Sequence, residues 1–467
     1  MKLIYDVEDK PKFGALVVFA IQQLLAIMAA TLVVPVITGN NMDPAAALFG
    51  AGIGTLVYVF FTKKSSPVFL GSSFAFLGSM AAAFAGGVSI QLGYLGLIIG
   101  AIFAGLVYVV IAAVVKAAGV DWIDRLMPAV VIGPTVSIIG LSLAGNAVGD
   151  LQNGKVMADV VTQAVEDGKI VDVVSQVPVA SSLICVLCGL VALFVIVLCS
   201  TFGKRTARLI PFIIGVLAGY AVALVFTLIG NAADVDALKI ISFAPFTALV
   251  ENGVGINTFF SVPRFTFLTA LGGFSELNGS YVGTIAAAYV PVAFVVFAEH
   301  IADHKNISSI IGRDLLKKPG LSRTLLGDGV GSIFGAIFGG CPNTTYGESI
   351  GCVAITGNAS VATIIAAAVG AIIISFVAPF VAFVNSIPSC VMGGMCVALY
   401  GFIAVSGLRM FKNIDLDENR NLFVVSSILI TGIGGLSLTF GSITITPIAC
   451  ALIIGIIVNM MLSKKQA

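Results

Sequence analysis

Apolar windows long enough to cross a membrane recur along almost the whole chain, separated by short polar connections. A helix that spans a bilayer needs about 20 consecutive, mainly apolar residues. We count fourteen such segments, at roughly 14–37, 44–62, 67–87, 92–116, 126–148, 179–201, 209–230, 284–303, 321–341, 343–357, 360–384, 388–408, 421–440 and 443–463. The pattern predicts an all-α polytopic membrane protein with fourteen transmembrane segments.

The positions of the basic residues test this count. An even number of spans places both termini on one side, and cytoplasmic loops are enriched in Lys and Arg. Of the 24 lysines and arginines, only Lys155, Lys169, Lys239 and Arg264 then fall outside. The sequence therefore predicts a multi-pass protein of the cell membrane with both termini in the cytoplasm.

Composition agrees with this class. The chain is 58% hydrophobic and 10% charged, whereas a soluble domain has about 25% charged residues. The first residues, MKLIYDVEDKPK, carry mixed charge and lead into a full span without a small-residue cleavage site, so we expect no removable signal peptide. The net charge of +1 gives no reason to expect a nucleic-acid partner.

The eight cysteines all lie in or beside apolar segments, so no disulfide framework is predicted. Cys185 and Cys188 form a C-x-x-C, but their neighbours, LICVLCGLVALF, favour a packed helix face over a redox or zinc site. The long outer connections, about 149–178 and 231–283, carry many acids and are interpreted as solvated loops. The apolar stretch FFSVPRFTFLTALGGF in the second is open to an alternative position along the membrane interface.

A weak internal repeat links the two halves of the chain. Pro, Val and Gly occur at 128, 131 and 133 and again at 388, 391 and 393, an offset of about 260 residues. Both sets open the fifth of seven segments. An odd number of spans per copy inverts the second copy, so we predict two inverted seven-segment repeats, as in many secondary transporters.

Segments 3 and 10 are unusually polar for membrane spans. They begin SSPVFLGSSFAFLGS and CPNTTYGESIGCVAIT, which favours a short β-strand followed by a half-helix in each. Extended backbone inside a membrane must be paired or line a cavity, and the two strands could pair with one another. The helix starts would then present partial positive charge to a ligand that carries carbonyl oxygens.

Two acids, Glu299 and Glu348, lie in apolar segments that contain no Lys or Arg to neutralise them. A charge at the centre of a span costs about 2.5–3.5 kcal/mol on the insertion scale. The functional interpretation is a proton site or an acceptor for ligand N–H groups. The alternative is a protonated, hydrogen-bonded core residue.

The chain has two histidines, His300 and His304, which stand four residues apart on one helix face. The order HIADH resembles the H-x-x-E-H pattern of one metalloprotease class, so a membrane-embedded zinc hydrolase is an alternative from another class. It lacks a third ligand, and we predict no metal, no cofactor and no catalytic residues. Broken helices around buried acids also disfavour a passive channel.

AEHIADH in segment 8, PNTTYGESIG in segment 10, LGSSFAF in segment 3 and PSCVMGG in segment 12 together resemble the nucleobase–ascorbate transporter family, or nucleobase:cation symporters. NTTYGE is similar to the polar sequence at this place in the uracil-permease branch of the family. The resemblance implies a core domain and a gate domain, each built from two stretches of the chain. The core comprises residues 1–120 and 284–385, and the gate comprises 121–283 and 386–467.

The resemblance also implies a ligand, uracil, which is imported with protons; another nucleobase such as xanthine is the alternative. The substrate-binding residues it implies are Phe74, Glu299, Tyr346, Gly347, Glu348 and Tyr400, and the proton-coupling residues are Gln23, Glu299, Asp303 and His304. Tyr400 is equally compatible with simple packing. Members are often homodimers, so a homodimer in the lipid bilayer stays open.

The sequence departs from one uracil-transporting member at the eighth segment. That member has a histidine four residues after its binding acid, whereas here Asp303 is at +4 from Glu299 and His304 is at +5. At about 100° per residue, +4 lies about 40° from Glu299 and +5 about 140° away. Asp303 is therefore predicted to lie beside Glu299. Gln23 stands where some relatives have a histidine.

Overall fold

The computed structural model describes residues 3–119, 121–166, 169–251, 253–440 and 443–463. Lys2, Lys464 and Lys465, all predicted to be cytoplasmic, lie outside these ranges. Within them, eight helices are long and apolar enough to cross a membrane. The predicted class, a largely helical integral membrane protein, is confirmed, while the count of fourteen spans stays a prediction.

The helices of the first half, in chain order, are α1 (Phe13–Thr38), α2 (Pro44–Phe61), α3 (Leu77–Ala83), α4 (Ile90–Ala118), α5 (Asp121–Leu126), α6 (Ala129–Ser142), α7 (Ala144–Asp150), α8 (Ser182–Phe202), α9 (Arg205–Leu209) and α10 (Pro211–Ala233). Those of the second half are α11 (Ala244–Thr247), α12 (Ile256–Phe259), α13 (Thr266–Ala270), α14 (Gly279–Ile311), α15 (Leu321–Gly339), α16 (Gly347–Thr356), α17 (Val361–Ile374), α18 (Ala378–Ser386), α19 (Ser389–Arg409), α20 (Asn419–Ile433) and α21 (Pro447–Ser463). The strands are β1 (Leu70–Ser72), β2 (Met157–Glu166), β3 (Lys169–Pro178), β4 (Asn343–Thr345), β5 (Leu438–Phe440) and β6 (Ile443–Ile445).

Contacts divide the chain into two units, which are described separately. The first comprises residues 1–142, 261–377 and 400–467, and in it α2 packs against α15 and α17 while α4 packs against α14 and α15. The second comprises residues 143–260 and 378–399, and in it α8 packs against α10. The division into core and gate domains stays a prediction.

Strands β1 and β4 form an antiparallel pair within the first unit. Leu70 lies opposite Thr345, and Ser72 lies opposite Asn343. Two further backbone bonds flank the pair, from Ser73 N–H to the Pro342 carbonyl (2.9 Å) and from Tyr346 N–H to the Phe69 carbonyl (3.3 Å). Both strands are buried along their length, so this pairing satisfies backbone groups that water does not reach.

Helix α2 supplies a partner to each strand of the pair. Thr55 Oγ1 accepts a hydrogen bond from Leu70 N–H at 2.9 Å. Asn343 Nδ2 donates to the Gly50 carbonyl at 3.1 Å. One helix thus holds both strands.

The structure corrects the interpretation of 149–178 as a solvated loop, because β2 and β3 form a ten-residue antiparallel ladder there. The many acids favoured a loop, although Asp-Gly at 167–168 between β-branched runs is a hairpin signal; those two residues lie outside the described ranges. A second hairpin, β5 with β6, replaces helix at the junction of the thirteenth and fourteenth segments.

The apolar stretch of the second outer connection is not one continuous helix. It begins at the last residue of α12, contains α13 and ends within a 3-10 turn at Leu271–Glu276. Thr266 and Ala270 are buried, whereas Leu268, Leu271 and Phe274 are exposed. The stretch therefore has one packed side and one exposed apolar side.

We predict that Gly71→Ala destabilises the protein by about 1–3 kcal/mol, because a Cβ at this strand position would overlap the ring of Tyr346. Gly78→Ala in α3 is the matched control, since its Cβ would lie 3.8 Å from Thr446 Cγ2, an ordinary contact. Thermal unfolding in detergent, followed with a thiol-reactive dye on the free cysteines, measures both. Equal melting temperatures for the two variants would contradict the prediction.

Candidate functional site

The strand pair places two helix starts at its opposite ends. A 3-10 turn at Phe74–Phe76 and then α3 follow β1, and α16 follows β4. Because β1 and β4 are antiparallel, the chain leaves the pair in opposite directions. Each buried strand is therefore followed by a new helix start.

The first turn of α16 borders open space. Gly347 is exposed, and a Cβ built on it would meet no atom within 4 Å. Glu348 lies in the same turn and is half-buried. The side chain of the N-cap residue, Tyr346, does not bond the amides of this turn. The helix start therefore presents uncapped N–H groups and a carboxyl side by side.

Besides Glu348, two acids of helix α14 lie in this region. Glu299 and Asp303 are one helical turn apart, and both are half-buried. Thr345 Oγ1, at the end of β4, donates to Asp303 Oδ2 at 2.7 Å. Helix α14 packs against α16 and β4, and Glu299 lies within electrostatic range of Asp303, Asp328 and Glu348. Three predicted site residues, from two helices, are thus brought together.

Phe74 and Tyr400 also meet. Their ring centroids are 5.7 Å apart with an interplanar angle of 76°, an edge-to-face contact. Both rings are buried. The turn that carries Phe74 packs against α14, so the aromatic pair lies against the helix that carries the acids.

Gln23 and Tyr346 hold the frame of the site together. Gln23 Nε2 donates to Ser349 Oγ, which also accepts the Phe69 N–H at 3.0 Å, so α1, α16 and the start of β1 share one hydroxyl. The Tyr346 hydroxyl donates to the Ser72 carbonyl at 2.7 Å. An amide does not titrate, so the contribution of Gln23 to proton coupling stays a prediction, as does substrate contact by Tyr346.

The two histidines lie on another face of α14, with ring centroids 3.9 Å apart. His304 Nδ1 is 2.8 Å from the His300 carbonyl and its Nε2 is 2.7 Å from the Tyr58 hydroxyl. A carbonyl only accepts, so Nδ1 carries a proton. The Tyr58 hydroxyl also lies 2.7 Å from Ser66 Oγ, to which it donates, so it is shared between Ser66 and His304 Nε2. Both nitrogens of His304 are committed, and its predicted proton-coupling role is untested.

His300 pairs with an acid that the sequence analysis missed, Asp328 on α15. His300 Nδ1 is 2.7 Å from Asp328 Oδ2, and Nε2 is 3.0 Å from Thr324 Oγ1. Thr324 donates its own proton to the Leu321 carbonyl, so Nε2 carries a proton and one further proton lies between Nδ1 and Oδ2. Asp328 Oδ1 is buried without a hydrogen-bond partner among the described residues.

A sequence signal for Asp328 existed. It lies in the Gly-rich apolar run LLGDGVGSIFG of the ninth segment, and a lone acid in a membrane span is itself a functional signal. Tyr58, Thr324 and Thr345 carry no such signal, because a single hydroxyl in an apolar span is common. Only the packing of α2, α15 and β4 around α14 identifies them.

The zinc-hydrolase alternative finds no support. The ring nitrogens of His300 and His304 all face protein partners. Within the described part of the chain, no group of three or more His, Cys, Asp and Glu side chains is arranged to hold a metal.

Comparison with known proteins defines the class. Residues 14–440 match the sequence profile described as the Permease family. The chain therefore belongs to this family of permeases, which are not enzymes, and the resemblance to nucleobase–ascorbate transporters is confirmed.

Individual proteins with similar sequences are named uracil permeases. The chain is 38% identical to the uracil permease of Bacillus caldolyticus, over 99% of this chain and 96% of that protein. It is 37% identical to the uracil permease of Bacillus subtilis (strain 168), over 100% and 96%, and 33% identical to that of Escherichia coli (strain K12), over 96% and 92%.

Solved structures show the same fold at low identity. The chain is similar to the murine Slc26a9 anion transporter in the inward-facing state, with a TM-score of 0.62 and 11% identity, over 98% of this chain and 69% of that one. It is also similar to the transmembrane domain of the cyanobacterial bicarbonate transporter BicA, with a TM-score of 0.57 and 14% identity, over 97% and 100%. These similarities concern the fold alone.

We predict that His300→Leu destabilises the protein by about 3–5 kcal/mol, because it leaves Asp328 buried without its partner. The double variant His300→Leu/Asp328→Leu should lose less stability than His300→Leu, because no buried carboxyl is then left without its partner. Thermal unfolding in detergent compares the two, with Thr324→Val as a variant that removes the Nε2 acceptor and the hydroxyl donor to the Leu321 carbonyl but leaves the His300–Asp328 pair. A double variant no more stable than His300→Leu would contradict the pairing.

Proposed function

We propose that this permease imports uracil across the cell membrane together with protons. The observation that carries the proposal is the convergence of Glu299, Asp303 and Glu348 beside the uncapped start of α16. The full-length similarity to proteins named uracil permeases supports the choice of ligand.

The hydrogen-bonding groups of uracil complement this site. Uracil is planar, with two ring N–H donors and two carbonyl acceptors. Carboxyl oxygens of Glu299 and Glu348 accept the N–H groups, while the amides at Gly347 donate to a carbonyl. Those amides also carry the partial positive charge of the α16 start. Phe74, whose edge-to-face contact with Tyr400 fixes its ring, packs against the base.

The clustered carboxyls provide the proton coupling. Three acids that ionise in one apolar site repel one another, so a proton bound from outside lowers that repulsion when uracil enters. Asp303 is the proposed proton carrier, because Thr345 holds its Oδ2 next to the strand pair and its neighbour is Glu299. Release of uracil to the cytoplasm releases the proton as well.

Alternating access completes the proposal, with a core domain that shifts past a gate domain. It includes fourteen spans in two inverted repeats and cytoplasmic termini, which the distribution of Lys and Arg supports. Another nucleobase such as xanthine is the alternative substrate. A homodimer in the bilayer is compatible with this scheme.

Uptake of radiolabelled uracil into proteoliposomes, with and without an inward proton gradient, tests the function. We expect accumulation above equilibrium only with the gradient, competition by unlabelled uracil and no effect of a chelator. Stronger competition by xanthine than by uracil would indicate that the substrate is a purine and not uracil. Uracil accumulation that is equal with and without the proton gradient would refute proton coupling.

Glu299→Gln should abolish uptake while the protein remains folded and inserted, because the amide presents an NH₂ where an acceptor is needed and cannot bind a proton. The control is Glu251→Gln, an exposed acid of the outer connection, which should transport like wild type. Wild-type uptake by Glu299→Gln would remove the centre of the proposal.

Glu348 variants should form a graded series in uracil affinity. Gln keeps one carbonyl acceptor and loses the charge, so binding weakens; Ala leaves a uracil N–H unpaired, which costs about 1–3 kcal/mol, or roughly 5-fold to 150-fold. Equilibrium binding of labelled uracil to purified protein gives the order. An Ala variant that binds as tightly as wild type would show that Glu348 is structural only.

A further inference from the structure

The residues before the first helix lie on the first unit, with Tyr5 in a single β-bridge to Asn358 and a turn at Asp6–Asp9. Ile4 N–H donates to the Gly357 carbonyl at 2.7 Å, Ala359 N–H to the Tyr5 carbonyl at 2.9 Å, and Val361 N–H to the Val7 carbonyl at 3.1 Å. We name residues 4–9 the N-terminal strap. Its backbone is paired with the connection that leads from α16 to α17.

Side chains anchor the strap on the same surface. Val7 is 1% exposed, and the Tyr5 ring contacts Phe19 of α1 edge-to-face at 5.9 Å. Ser360 Oγ donates to the Asp9 carbonyl at 2.5 Å. These contacts distinguish the strap from a solvated tail.

An ion-pair cluster ties the strap to the end of α14. The Arg313 guanidinium bonds both carboxyl oxygens of Glu8, at 2.6 and 2.9 Å, and Asp6 Oδ2 at 2.6 Å. Arg313 directly follows Gly312, the residue that ends α14 with φ of 68°. The two-point contact with Glu8 fixes the direction of the guanidinium as well as its distance.

The strap therefore touches the far ends of the two helices whose other turns carry the acids of the site. At 1.5 Å per residue, Glu299 lies about 18 Å along α14 from Ile311, and Glu348 lies about 12 Å along α16 from Thr356. Neither stretch contains a proline, the usual cause of a sharp kink, so we treat each as a straight helix. A shift at either end thus changes the separation of Glu299 and Glu348.

We propose that the N-terminal strap is a positioning element, which holds α14 and α16 at the separation that uracil requires. This inference rests on the proposed function, since it assigns uracil to the acids of both helices. Arg313, Asp6 and Glu8 act through the helices and do not touch the substrate.

The pair of Glu8 and Arg313 stays charged near neutral pH. The hydrogen bond from Arg313 lowers the pKa of Glu8, with a smaller contribution from the charge of Lys318, and Glu8 with Asp6 raises the pKa of Arg313. A lowered carboxyl pKa means that the pair is fully formed above the usual carboxyl range and is lost as pH falls through the lowered value. Cytoplasmic acidification near neutrality leaves it intact, whereas salt screens it because the partners are partly exposed.

Arg313→Ala tests the strap, with Arg323→Ala as the matched control, an exposed arginine on the first turn of α15. The first readout is hydrogen exchange at the amides of Ala359 and Val361, which needs no uracil. The second is equilibrium uracil binding. We expect faster exchange and about 3- to 5-fold weaker binding for Arg313→Ala, with neither change for Arg323→Ala.

Charge exchange adds a rescue. Arg313→Glu should weaken binding at least as much as Arg313→Ala, and Arg313→Glu/Glu8→Arg should restore part of it. Unchanged exchange at Ala359 and Val361 would show that the cluster does not hold the strap. Faster exchange with wild-type affinity would overturn the positioning role, whereas a wild-type protein that binds no uracil would overturn the proposed function instead.

Discussion

Backbone N–H and C=O groups within a membrane must find partners in the protein, because no water is there to bond them. The buried strands Leu70–Ser72 and Asn343–Thr345 meet this requirement by pairing with one another. Thr55 of α2 bonds the Leu70 amide, and Asn343 bonds the Gly50 carbonyl of the same helix. With those partners in place, α16 can begin in the interior of the unit and expose the amides of its first turn.

Helix α14 adds two acids beside the strand pair, and its faces have different partners. The face with Glu299 and Asp303 meets the end of β4 and the start of α16. The face with His300 and His304 is bonded to α15 and α2. Three hydrogen bonds from the imidazoles to α15 and α2 fix the rotation of α14, and that rotation directs the carboxyls. The contacts of the histidines thus orient the helix that carries the carboxyls, and proton coupling by His304 stays a prediction.

The sequence predicts what depends on local pattern. Apolar windows identify the membrane class, the polar run PNTTYGESIG contains β4 and the start of α16, and the cost of burying a charge selects Glu299 and Glu348. Asp328 has the same signal and was overlooked beside the more polar motifs. The partner of Asn343 lies 293 residues away, and no local pattern encodes such a contact. The β2–β3 hairpin was missed because its acids outweighed its β-branched residues.

The central claim is that carboxyls from α14 and α16 bind the same pyrimidine. A structure determined by electron cryo-microscopy with uracil present tests this claim most directly. We expect density for a planar ring with its two N–H groups within about 3 Å of Glu299 and Glu348 oxygens, a carbonyl oxygen at the Gly347 amide and the ring against Phe74. Density elsewhere, or a ring that contacts only one of the two acids, would contradict the account.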